Sequence, residues 1–216
     1  MKISPAYFLV CFVITILFAG TPSHSDPTEG FTEVPLTEAN FELQKPYDIP
    51  LEQRYSYVDG VRRFWVYADD KPHNIASMTQ PRTEARIMGL DYSSGVWQFE
   101  GHGFVPNGTS GATIAQIKGG ANNASTTIIL RIYGGDMRYY SGNLIQTGLY
   151  DKWFRLNIIH DVDGGKVTVF LDGVQKFQVA DRGPGDLYFK CGVYAAPANI
   201  SYYMESRWRD IKIYKK

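Results

Sequence analysis

Cysteine is nearly absent from this 216-residue chain, with only Cys11 and Cys191 present. Cys11 lies in an apolar run near the start, so a fold built from the remainder holds one thiol and no internal disulfide. Net charge is absent too, since 22 Lys+Arg are balanced by 22 Asp+Glu. That balance gives no reason to expect nucleic acid or an anionic membrane as partner, and any anion-binding role must come from local clustering. No long stretch shows helical period with a cap and a stop. Internal repeats, low-complexity tracts, a phosphate-cradling glycine loop, zinc spacing and a Ser-His-Asp arrangement are all missing. His73, His102 and His160 have no metal-ligating neighbours in sequence, and His102 and His160 read as surface or turn histidines. Asp161-Val162-Asp163-Gly164 opens like a calcium loop but lacks the downstream Glu, and reads as a hairpin turn. No metal or cofactor is expected.

What the chain does have begins with Lys2, followed by the apolar run from Ala6 to Ala19. A charged start, a short apolar stretch and small residues after it form a secretory leader, with Ser23 and Ser25 at −3 and −1 of a cut before Asp26. About 14 apolar residues fall short of the roughly 20 that cross a bilayer as a helix. The expectation is therefore a leader over 1–25 and one domain over 26–216, exported to a vacuole or to the extracellular wall space. Without Lys2 the balance is 21 Lys+Arg against 22 Asp+Glu. Asn107, Asn123 and Asn199 open Asn-x-Ser/Thr triplets that such a route makes usable for glycosylation. After cleavage no membrane contact is expected, and a monomer is.

From Asp26 onward short alternating segments predict strands at Arg54–Asp59, Val61–Ala68, Gly95–Gly101, Thr127–Tyr133, Phe154–His160, Lys166–Leu171, Val174–Val179 and Arg209–Tyr214. Asp172-Gly173 between two of them predicts a tight hairpin, because a type I′ turn needs positive φ at both central positions. Asp26–Leu36 reads as an extended arm and Asp69–Gln80 as a long loop. Many short strands separated by Gly and Pro predict an all-β fold, a sandwich or jelly roll of antiparallel sheets.

Three segments place polar side chains on one strand face. Period 2 puts Arg82, Glu84 and Arg86 together, Gln116 and Lys118 together opposite Ile117, and Tyr188, Lys190 and Tyr194 together. Phe189, Cys191 and Val193 then point to the core. An ordinary solvated face with Arg-Glu cross-strand pairs would look the same. Tyr139, Tyr140, Trp97 and Trp153 are candidates for stacking on sugars, with half or more of the aromatics needed in the core.

RTEAR, QIK and YFKCGVY occur here in the order of the three signature strands of the alginate lyase 2 family, polysaccharide lyase family 7. The chain resembles that family from about Asn40 to its end. Longer stretches, VPLTEANFELQKPYDIPLEQRYSY, DYSSGVWQFEG, YFKCGVYAAP and YMESRW, are similar to its plant citrate-binding members. The resemblance implies a β-jelly roll whose concave sheet carries a ligand groove. In a lyase of this type Arg82 and Gln116 would neutralise a uronate carboxylate and Tyr194 would protonate the leaving oxygen. Lys118 stands where the signature has a His, and lysine at its reference pKa near 10.4 is a cation rather than a base.

Three readings follow from the resemblance. A binding protein for citrate or another small polycarboxylate would use Arg82, Arg86, Gln116, Lys118, Lys190 and Tyr194, with Glu84 structural, orienting Arg82 or Arg86. A lyase would cleave an acidic polysaccharide, alginate-like or glucuronan-like, by β-elimination. A non-catalytic module would hold such a polymer without cutting it.

Overall fold

The computed structural model describes residues 25–216. The leader expected over 1–25, with Cys11, therefore falls outside the described residues except for Ser25. Fifteen strands follow one another: β1 Thr32–Val34, β2 Phe41–Gln44, β3 Tyr55–Val58, β4 Val61–Tyr67, β5 Arg82–Ile87, β6 Val96–Phe104, β7 Ala112–Lys118, β8 Thr126–Tyr133, β9 Asp136–Tyr139, β10 Leu144–Gln146, β11 Trp153–Asp161, β12 Lys166–Leu171, β13 Val174–Ala180, β14 Tyr188–Ala195 and β15 Tyr203–Lys215. Among the described residues helix is limited to two single 3-10 turns, Glu38–Asn40 and Leu51–Gln53.

The strands form two antiparallel sheets. One runs β13-β12-β11-β6-β15-β4-β3, with β1 added along β15; the other runs β10-β9-β8-β7-β14-β5-β2. Alternation decides which side of each strand is buried between them. On β4, Phe64 and Val66 are fully buried while Arg63, Trp65 and Tyr67 are only partly so. On β8, Ile128, Leu130 and Ile132 face the core. Phe99 of the first sheet meets Phe189 of the second at 5.9 Å between ring centres and Trp208 edge-on at 5.7 Å. Burying each such side chain is worth roughly 1.5–3 kcal/mol, so a dry two-sheet interface carries the fold without a disulfide.

The turn chemistry does what the sequence predicts at β12–β13. Asp172 and Gly173 have φ of 50° and 78°, and the Asp172 carboxylate accepts the Arg155 backbone N–H at 2.8 Å. Asp161 closes the β11–β12 hairpin by accepting the N–H of Gly164, and Asp163 ties that turn to the start of β6 by accepting the N–H of Gly95. The start of the domain differs from the expected arm. Residues 27–30 form a turn, β1 pairs with β15, and Asp26 is gripped by Arg155 at 2.6 and 2.9 Å. That guanidinium holds the Asp26 carboxyl far below the ordinary carboxylate range. Arg155 lies 129 residues downstream, which is why the sequence shows no anchor.

Candidate functional site

The second sheet brings the three polar segments side by side. β14 lies between β5 and β7, so RTEAR, YFKCGVY and QIK become adjacent strands. Across them Tyr194 pairs with Arg82 on one side and with Thr113 on the other, and Thr113 pairs with Arg131 of β8. One cross-strand row therefore reads Arg131, Thr113, Tyr194, Arg82. A second reads Ile129, Gln116, Lys190, Arg86 and Glu42. Lys118 sits opposite Tyr188 at the end of β7. The face is recessed, because Arg82, Glu84, Gln116 and Lys190 on its outer side are all at most 8 % exposed.

Gly192 makes the close packing possible. It sits at the bulge where β14 gains a residue over β7, with φ of 137°. A Cβ there would come within 2.5 Å of the Thr83 carbonyl oxygen. Only glycine fits without pushing β14 off β5.

Glu84 is the hub of this face. Its carboxylate accepts from Gln116 Nε2 at 2.5 Å, from Lys190 Nζ at 2.5 Å and from Arg82 Nη1 at 3.4 Å. Lys190 also donates to Gln44 Oε1 at 2.8 Å. Burial lowers the proton affinity of Lys190, Glu84 raises it, and Arg82 and Lys118 lower it again. The Arg82 guanidinium lies 3.9 Å from the centre of the Tyr194 ring, and its Nε–H is buried without a partner. Lys118 makes no hydrogen bond or ion pair among the described residues, and burial followed by the Arg82 charge pulls its pKa below the ordinary lysine value.

Most of the expected site residues come together: Arg82, Glu84, Gln116, Lys118, Lys190 and Tyr194 share one face. Arg86 shares it but is already engaged elsewhere. It pairs with Asp91 at 2.5 Å and Glu42 at 4.0 Å and lies over Tyr188 at 4.0 Å. Lys190 is buried against Glu84 rather than presented to solvent. Glu84 reaches Arg82, not Arg86, and above all Lys190 and Gln116.

Sequence reasoning passed over Arg131, which donates through Nε to Thr113 at 3.0 Å; its place between Leu130 and Ile132 was the available signal. With Arg131 the face holds Arg82, Lys118, Arg131, Lys190 and the ion-paired Arg86 against the carboxylates of Glu84 and Glu42, and its chemistry favours anions. Tyr140, with its hydroxyl 2.7 Å from Thr126, lies under Arg131 and Arg182 beyond β8. Trp97 stacks on Tyr92 and Trp153 packs on Phe104, both in the other sheet.

His160 corrects the sequence reading, which put it at the surface or in a turn. His160 is fully buried, with Nδ1 3.0 Å from the Tyr92 hydroxyl and Nε2 3.0 Å from Asp181. Partners 68 and 21 residues away satisfy it. His102 lies 3.4 Å from Asp210 at the surface. His73 lies in the 69–80 loop and lines a cavity with Gln44.

The profile of the family described as alginate lyase matches residues 34–215. A protein from Hevea brasiliensis named citrate-binding protein is 55 % identical over 219 residues, covering 100 % of this chain and 92 % of that protein. Among solved structures, an alginate lyase of polysaccharide lyase family 7 superposes with a TM-score of 0.66 at 17 % identity, over 82 % of this chain and 95 % of that one. The alginate lyase of a Corynebacterium species gives 0.63 at 16 % identity, over 84 % and 91 %. These two likenesses place the two-sheet architecture among the jelly rolls.

Proposed function

This chain belongs to the alginate lyase family, and from that premise we propose that it binds a small polycarboxylate, citrate or a close analogue, on the cationic face of its seven-stranded sheet. The observation that carries the reading is Lys118, an unpaired cation beside Arg82 at the signature position of a base. Replacing a base by a cation exchanges proton abstraction for anion affinity. Arg82, Lys118 and Tyr194 lie on one face of three neighbouring strands, and the side chains of Lys118 and Tyr194 make no hydrogen bond among the described residues, while Glu84 holds the framework. Charge-assisted bonds of this kind are roughly twice as strong as neutral ones. The name of the Hevea relative, so similar along the whole chain, supports the same ligand.

Calorimetry of the protein from Asp26 onward with citrate tests this. Heat that disappears on Arg82→Ala is expected; no heat at millimolar citrate would refute the reading.

One observation favours a second reading. Arg82, Gln116 and Tyr194 keep the family's carboxylate-neutralising and proton-donating types on one face, as a polyuronate lyase needs. Incubation with alginate and glucuronan then generates the absorbance of an unsaturated product, and a flat trace across pH removes that reading.

A start that reads in sequence as a secretory leader, and the exposure of Asn107, Asn123 and Asn199 at turns and bends, support a glycosylated protein of the secretory route, in a vacuole or wall.

A further inference from the structure

The 69–80 loop borders the face just described at its β2 edge, and this inference rests on the anion-binding reading. One backbone bond ties it to the β2 end, Tyr47 N–H donating to the Pro72 carbonyl at 3.0 Å, and within the loop the Asn74 side chain accepts the N–H of Ala76 through Oδ1 at 2.8 Å. Between Pro72 and Asn74 stands His73. It lines a cavity with Glu42, Gln44, Lys45 and Tyr47 at the β2 edge of the sheet. Gln44 pairs with Glu84 across β2 and β5 and accepts from Lys190, so the cavity adjoins the hub of the site.

His73 Nδ1 is buried and has no hydrogen-bond partner among the described residues. The loop tip beyond it carries Ile75 and Met78 almost fully exposed, at 81 % and 98 %.

We propose that His73 is a further ligand contact of the anion site, an arm reaching in from the loop that takes up a proton when the anion binds. The charged groups around it set the sign. Arg82 of β5 and Lys190 of β14 repel a proton on the ring, Glu84 attracts one, and Glu42 and Lys45 flank the cavity from β2 and the residue after it. Without ligand, burial and the two cations lower the imidazole's proton affinity from its ordinary value. A polycarboxylate seated beside Arg82 and Lys190 cancels their repulsion, so bound ligand raises the ring's proton affinity. Anion affinity therefore rises as pH falls through the histidine range.

The test is calorimetry with citrate in two buffers of different ionisation enthalpy, for the wild type, His73→Ala and Arg82→Ala, with circular dichroism confirming the fold of each. Near pH 6 the wild type is expected to take up protons on binding, and His73→Ala to lose most of that uptake. His73→Ala should weaken binding about tenfold near pH 5.5, where a charge-assisted bond is lost, and much less near pH 8. Wild-type affinity and proton uptake retained in His73→Ala would overturn the inference and leave the anion reading standing. No heat from the wild type with citrate would overturn both.

Discussion

Glu84→Ala is the most informative single change, because it separates the frame of the site from its ligand groups. The side chain of Glu84 is 1 % exposed and that of Lys190 2 %, at 2.5 Å from each other. Removing one partner of a buried pair costs about 3–5 kcal/mol, because the other charge is left without compensation. With urea slopes of about 1–3 kcal/mol/M, the unfolding midpoint should fall by about 2 M. Lys190 escapes part of this cost by shedding its proton, which burial already makes easier.

The sign follows from linkage. A lysine whose folded pKa is lowered binds fewer protons in the folded state than in the unfolded one. Between the two pKa values stability therefore rises with pH. Losing Glu84, which raises the Lys190 pKa, widens that window toward acid. The deficit of Glu84→Ala against wild type should thus be larger near pH 6 than near pH 9. Urea melts of the domain from Asp26 onward, followed by tryptophan fluorescence at both pH values, measure it. A midpoint shift of only a few tenths of a molar, or a deficit that grows with pH, would refute the claim that Glu84 is the buried counter-charge of this face.

Lys118→Ala should weaken citrate binding about 10–100-fold, the loss of one hydrogen bond to a charged group worth about 1.5–3 kcal/mol, with the urea midpoint little changed; calorimetry and melting read the two effects separately. Gly192→Ala should destabilise by about 1–3 kcal/mol, because its Cβ meets backbone that cannot yield without moving a strand; an unchanged midpoint would contradict the packing. His160 is buried and its pKa lowered by that burial, against Asp181. Its unfolded form binds the proton more readily, so stability falls as pH drops below the ordinary value near 6.5. His160→Gln should flatten that dependence between about pH 7 and 5.

Legibility in the sequence followed the strength of local signals. β12 is found residue for residue, because glycine turns bracket a clean alternation on both sides. β15 begins at Tyr203, six residues before the expected Arg209. The irregular pairing between Arg209 and Lys212, with Asp210 at φ of 52°, breaks the period and hides the upstream half. β1, β2, β9 and β10 have three or four residues each, so little of a period shows; β3, as short, stood out through Tyr55, Tyr57 and Val58. The shared face of Arg82, Gln116, Lys118 and Tyr194 was legible because period 2 survives within each segment. Which cations stay free was not, because Asp91 for Arg86 and Gln44 for Lys190 come from other segments. His160 and His73 were opaque for the same reason.

The guanidinium of Arg82, over the Tyr194 ring and 3.4 Å from Glu84, is where the charge of a bound carboxylate should be felt. The direct measurement is the arginine Nε–H spectrum of the isotopically labelled domain, with Arg82 assigned by Arg82→Lys, titrated with citrate. The account predicts a saturable shift of the Arg82 signal at the stoichiometry found by calorimetry, with Arg54 and Arg155, already ion-paired elsewhere, unmoved. A static Arg82 signal while citrate binds would place the ligand elsewhere on the molecule and contradict it.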